Sequence, residues 1–239
     1  MKQRGITLME VLISVTLLSL LSVAMFMAMR IGLNAYVKAD AKLMDNRRTV
    51  GAQRILTDEL GGIMPVMAAC GAGSGAAGSR AVFFQGAPGV MRLATTFSLL
   101  QGSRGQPQIV ALFVIPGEDD RGVRLVVNET PYTGAAAAGR FCTAAGQFAP
   151  VEAGAGSFVL ADKLAYCRFS YLAPPAVVNQ PPGWTAVWNT QRWPLAIRIE
   201  MAPLATDSSR VQPISLTAPV YLHRSPEIQY EDLGIDLAN

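Results

Sequence analysis

Histidine occurs once in these 239 residues, at His223, and cysteine only three times. No CxxC pair is present, so local spacing offers neither a zinc site nor a dithiol redox motif. No GxSxG or comparable nucleophile motif appears, and a single imidazole leaves little from which to build an acid–base site. These absences point away from an enzyme and imply no cofactor and no metal. Charge is sparse, at 15% of residues, and nearly balanced at a net +3, which signals neither nucleic-acid binding nor a strongly acidic partner. Proline is missing before Pro65, so one helix can run from about Ile6 to Leu60. After Met29 no second run is long and apolar enough to cross a bilayer.

What is present is concentrated at the N-terminus. A short basic leader, Met1-Lys2-Gln3-Arg4-Gly5, runs into about two dozen residues, Ile6 to Met29, whose only charge is Glu10. As a helix this stretch exceeds the ~30 Å hydrocarbon core of a bilayer. Lys2 and Arg4 favour a cytoplasmic N-terminus, which places the rest of the chain across the membrane. A carboxylate in such a run costs roughly 2.5–3.5 kcal/mol on insertion scales and calls for a partner. Cleavage between Gly5 and Ile6 would supply one. The new α-amine of Ile6 is mostly cationic at neutral pH, and it would lie near Glu10 of its own or of a neighbouring copy. Pairing offsets the cost of burying both charges. An ordinary secretory signal competes with this reading, with Ser22-Val23-Ala24 as a small-x-small cut site. Against it, the apolar run continues through Met29, and Glu10 would be a defect in a signal core.

Gly5 before a hydrophobic residue, with Glu10 five residues after the cut, resembles the type III signal of type IV pilins and type II secretion pseudopilins. The resemblance covers about the first thirty residues. It implies cleavage after Gly5 by a prepilin peptidase and N-methylation of Ile6, with Glu10 as an assembly residue.

The remainder is read as one α+β, pilin-like protein. Residues 1–5 form the leader, 6–29 the transmembrane helix half, 30–65 an amphipathic periplasmic half and 66–239 a β-rich periplasmic globular domain. Val37, Ala41, Met44, Ala52 and Ile55 mark the apolar stripe of the second half, and Gly61-Gly62 and Pro65 end the helix. Gly73-x-Gly75-x-x-Gly78 has the form of a dinucleotide fingerprint. A strand, Arg80–Gln85, follows it where a helix is required, so it reads as a loop. Further strands are expected at Gln108–Ile115, Gly122–Asn128, Lys163–Leu172 and Trp193–Met201, with one or two more between Val211 and His223. Cys167, Phe169 and Tyr171 share one face. Leu195, Ile197, Ile199 and Met201 face inward, with Arg198 and Glu200 toward water. Glu118, Asp119 and Asp120 read as a solvated turn rather than a calcium site. The stretches 134–139 and 153–157 are connectors, and the acidic tail after Pro226 lies at the surface. In an oxidising compartment one disulfide is expected, with Cys142–Cys167 favoured because Cys70 borders the glycine-rich loop.

Phe169, Tyr171, Trp184, Trp188, Trp193, Pro194, Ala196, Ile197 and Arg198 carry a second resemblance, over about forty residues, to the J-type minor pseudopilin of type II secretion. It implies a non-catalytic subunit at the pseudopilus tip, a single-pass protein of the bacterial inner membrane. Its implied partners are I-type and K-type minor pseudopilins, the major pseudopilin and the prepilin peptidase, with no nucleic acid. The alternative is a minor pilin of a type IV pilus or DNA-uptake filament.

Overall fold

The computed structural model describes residues 7–70, 79–143, 147–175, 180–204 and 213–222. Two compact units make up the chain, Met1–Arg47 and Arg48–Asn239. Among its described residues the first is helix from Leu8 onward. Helix α1 runs without interruption over Leu8–Gly61, as the absence of proline permits. Its segment Leu8–Ala41 is apolar and long enough to cross a membrane, and none of that window is buried within the protein. Val37 and Met44, expected in a packing stripe, are also exposed.

In the second unit the end of α1 is a packing element. Ala52, Leu56 and Leu60 are buried and Ile55 half-buried, the i, i+4 spacing of one helix face. The helix stops where expected: the Gly62 N–H bonds back to the carbonyls of Asp58 and Glu59, at 3.1 and 3.2 Å. Downstream lie β1 (Met67–Cys70), β2 (Ser79–Val82), β3 (Gln85–Ala87), β4 (Val90–Ser98), β5 (Ser103–Pro116), β6 (Val123–Pro131), a short helix α2 (Ala135–Gly139), β7 (Phe158–Ala173), β8 (Gly183–Thr185), β9 (Ala196–Pro203) and β10 (Ile214–Pro219). Strands β1 and β2 pair with each other. The large sheet has the order β10-β9-β7-β6-β5-β4-β3, with β8 on β7, and every described pairing is antiparallel. Apart from β8 this is a meander, the topology that short connections favour. The motif Gly73-x-Gly75-x-x-Gly78 lies outside the described residues, but strands flank it on both sides, an arrangement a dinucleotide fingerprint does not have.

Alternation along the strands builds two cores on opposite faces of this sheet. Met91 and Leu93 of β4, Val110 and Leu112 of β5, Phe169 and Tyr171 of β7, and Ile197 and Ile199 of β9 pack with Ala52, Leu56 and Leu60 of α1. On the other face, Ala94 and Ile109 meet Val66, Ala68, Cys70, Phe83, Ala138 and Cys142. The adjacent Phe83 and Phe84 divide between the two cores. That division breaks the single strand expected at Arg80–Gln85 into β2 and β3.

Two expectations are corrected. The disulfide joins Cys70 to Cys142, with Cα atoms 5.3 Å apart, and Cys167 is a free, buried thiol. Cys167 faces the helix side of the sheet, whereas Cys142 belongs to the opposite core, so a bridge between them would have to pass through the sheet. Gly139 lets α2 approach β1: a side chain there would collide with the Ala69 carbonyl, one residue from Cys70. Leu195, expected to face inward, is 43% exposed, while Ile197, Ile199 and Met201 are buried as expected. Leu195 precedes β9, so the alternation does not extend to it.

Candidate functional site

Thr7 caps α1. The Glu10 N–H bonds to the Thr7 carbonyl at 3.0 Å and reaches its hydroxyl oxygen at 3.4 Å. Thr7-x-x-Glu10 is thus the spacing of a capping box, in which a hydroxyl and a carboxylate serve the free N–H groups of the first turn. The N-terminal end of the helix dipole favours a carboxylate at this position. Capping accounts for a glutamate here by local chemistry, and Thr7 as its partner was not anticipated, although the S/T-x-x-E spacing was there to be read. The local account leaves one fact unexplained, because the turn opens a helix that runs apolar and unburied from Val11 to Met29. Among the described residues Glu10 has no ion-pair partner. Gly5 and Ile6 lie outside the described residues.

The helix is equipped for a medium without water. Ser14, Thr16, Ser19 and Ser22 each donate to a carbonyl three or four residues back, at 2.7–2.9 Å. Hydroxyls bonded in this way leave no unsatisfied donor facing hydrocarbon.

Residues 1–26 match the prokaryotic N-terminal methylation motif. The match includes Gly5, Ile6 and Glu10 and ends inside the apolar half of α1, so the chain carries a pilin-like N-terminus ahead of an α+β globular unit. No curated protein matches the chain.

The residues of the second resemblance mostly serve the fold. Phe169, Tyr171, Trp188, Trp193, Ala196 and Ile197 are buried. Tyr171, Trp188 and Trp193 surround Phe84 with ring centroids 5.5–6.5 Å from it. Gly86 makes room for this cluster, since a Cβ there would stand 2.7 Å from Trp188 and 2.8 Å from the Tyr171 ring. Only Trp184 and Arg198 are at the surface, the guanidinium stacked 3.8 Å from the indole centroid. In the acidic turn, Glu118 pairs with Arg124, which also bonds Asp162 at 2.8 Å, so its carboxylates are partly committed to ion pairs.

Two buried ionisable groups carry no signature in the residue pattern. Glu59, in the last turn of α1, is 1% exposed, and neither carboxylate oxygen has a hydrogen-bond partner among the described residues. Burial foremost, then the charges of Glu129 and Asp58, push its carboxyl up to about 8, so the group is largely neutral at pH 7. Thr95 relieves little of this, since its hydroxyl donates to the Glu59 main-chain carbonyl at 3.0 Å. Arg92 reaches through the second core. Its two terminal nitrogens donate to the carbonyls of Phe141 and Ala149, both at 3.1 Å, and its guanidinium lies against the rings of Phe141 and Phe148. Burial pulls its pKa down to about 10, which leaves it charged at neutral pH.

Proposed function

We propose that this chain is a non-catalytic filament subunit, a minor pseudopilin of a type II secretion system that assembles near the tip of a short periplasmic filament. A prepilin peptidase cuts between Gly5 and Ile6 and methylates the Ile6 amine. Residues beyond the membrane-spanning half of α1 then lie in the periplasm. The observation that carries this reading is the methylation motif at the head of an unbroken helix whose apolar residues find nothing to bury them in their own chain.

In the assembled state the lipid-embedded helices lie side by side, and Glu10 of one copy meets the Ile6 amine of a neighbour. Pairing removes two uncompensated charges from the membrane at once. Because the helices are tethered in one bilayer, weak contacts between globular units suffice for assembly. The test compares full-length wild type with Glu10→Ala, co-purified from membranes with sibling pseudopilins. The variant is expected to be processed and folded but recovered with its siblings at a several-fold lower yield. Equal recovery would remove Glu10 as an assembly contact. Recovery with the subunits of a type IV pilus or a DNA-uptake filament, in place of secretion pseudopilins, would move the chain to that sister class.

A further inference from the structure

On the side of the large sheet away from α1, the second core covers Ala94 of β4 and Ile109 of β5. Over β7, β9 and β10 the same side stays open among the described residues. Arg168, Ser215 and Thr217 are exposed there, and Ser170, Arg198 and Glu200 half-buried. Their neighbours Phe169, Ile199 and Met201 point the other way, into the helix-side core, as alternation requires. The register sets the outward side chains in rows. Leu172, Ala196 and Pro219 lie abreast, with Trp184 of β8 next to Leu172, and make an apolar row. In the next row Arg198 stands between Ser170 and Thr217, and the row after it holds Arg168, Glu200 and Ser215.

Two guanidiniums on this face are stacked on aromatic rings. Arg198 lies 3.8 Å from the Trp184 centroid and Arg168 5.2 Å from that of Tyr166. Neither forms an ion pair among the described residues. Glu200 is directly opposite Arg168 in the register, yet the guanidinium is turned onto Tyr166 instead. Stacking holds a guanidinium by its flat face and leaves its N–H edge for a planar acceptor with two oxygens. The hydroxyls of Ser170 and Thr217 flank Arg198 as further donors. Arg168 and Arg198 occupy diagonal positions on adjacent strands, a separation of roughly 7–8 Å.

We propose that this face docks an extended acidic segment of a partner protein, in which two carboxylates two residues apart are taken up by Arg168 and Arg198. Charge and spacing both select such a segment. Carboxylates supply the charge that the two guanidiniums lack, and each can be held by two parallel hydrogen bonds. Side chains i and i+2 of an extended chain project from one side about 6.6 Å apart, close to the separation of the two arginines. A neighbouring apolar residue of the segment rests on the row of Leu172, Ala196 and Pro219. Trp184 and Arg198, which the core of the fold does not use, thereby gain a task.

Fluorescence anisotropy on the full-length protein in detergent micelles tests this, with a dye-labelled, end-blocked Glu-Ser-Glu-Ser-Glu peptide as the probe. Wild type is expected to bind the peptide, more weakly as salt rises. Arg168→Gln/Arg198→Gln should lower the affinity at least about tenfold. Arg80→Gln/Arg140→Gln removes the same charge from exposed positions elsewhere and should change it by less than about twofold. Arg168→Lys/Arg198→Lys keeps the charge but should still lose several-fold, since an ammonium cannot make the paired bonds. Emission of the buried Trp188 and Trp193 checks that the variants remain folded. No binding by wild type, equal losses in the two glutamine variants, or wild-type affinity in the lysine variant would each overturn the proposal. So would binding that appears only once Glu227, Glu231, Asp232 and Asp236 are replaced by their amides, which would give the face to the chain's own tail.

Discussion

The two ends of α1 obey opposite rules. From Val11 to Met29 the helix is apolar on every side, and leucines such as Leu20 stand 70% exposed. Over its last three turns it is mixed in composition, yet Leu56 and Leu60 are buried against the sheet. Each end also holds a glutamate in reversed circumstances. Glu10 sits exposed in the first turn of a stretch made for lipid, whereas Glu59 is sealed inside the protein. A helix that buries its apolar face within its own chain needs nothing further. One that leaves its apolar residues uncovered from Val11 to Met29 is long and apolar enough to cross a membrane.

The comparison can be broken most sharply by shortening one leucine at each end. Leu56→Ala leaves a cavity under the sheet and is expected to cost the globular unit about 3–5 kcal/mol. Leu20→Ala should alter its unfolding by less than about 0.5 kcal/mol. Urea unfolding followed by tryptophan fluorescence, with both proteins in the same detergent, checks the pair. Equal losses would mean that the membrane half takes part in the fold of the globular unit.

Internal closure of the second unit can be probed at its covalent link. Cys142→Ser opens a loop that the bridge closes over a sequence separation of 72 and should destabilise that unit by about 2–4 kcal/mol. Cys167 should resist alkylation until unfolding, because burial pushes its thiol up to about 12 and closes access to it. Mass mapping after alkylation under native and denaturing conditions distinguishes the two kinds of cysteine.

Glu59 offers a third, smaller test. Its folded pKa, about 8, lies above the ordinary 4.5, so the folded state holds the proton more tightly than the unfolded chain. Stability from this group is full below about pH 4.5 and is lost as pH rises through 8. Glu59→Gln keeps the shape of the neutral carboxyl and removes the ionisation. It should flatten that part of the pH profile and raise stability by several kcal/mol at pH 8.5. A profile unchanged by the substitution would show that Glu59 does not titrate in this window.

Much of this could be read from the residues. The proline-free opening and Gly61-Gly62 set the limits of α1, a continuous apolar run marked β5, the apolar stretch after the polar turn marked β6, and period-two patterns marked β7 and most of β9. Strand β4 escaped because Arg92, Thr95 and Ser98 are buried within it, and polar residues at core positions disguise a strand. The disulfide was misassigned because glycine around Cys70 suggested a loop, whereas Cys70 ends a buried strand. The packing stripe was drawn too far toward the N-terminus: Val37 and Met44 have helical spacing but no sheet to meet. Glu59 beside Asp58 reads as solvated surface, and only the strands folded over it make it otherwise. At the proposed processing site the residues themselves are the signal, since Gly5, Ile6 and Glu10 need only correct spacing to match the methylation motif.

The smallest change distinguishes the leader from the rest. Gly5→Ala should be processed nearly as well as wild type, while Gly5→Leu should accumulate uncut, because a bulky side chain crowds the scissile bond. Neither variant should alter unfolding of the globular unit. Immunoblots of membrane fractions check the first point; equal processing of both variants would argue against a glycine-shaped peptidase site.

The central claim, that this is a processed pilin-like subunit, is tested most directly by the N-terminus of the mature protein. Intact mass and terminal sequencing of membrane-extracted protein should find a chain that begins at Ile6 and carries one added methyl group on its amine. A chain that begins after Ala24 would contradict the claim and leave an ordinary exported protein in its place.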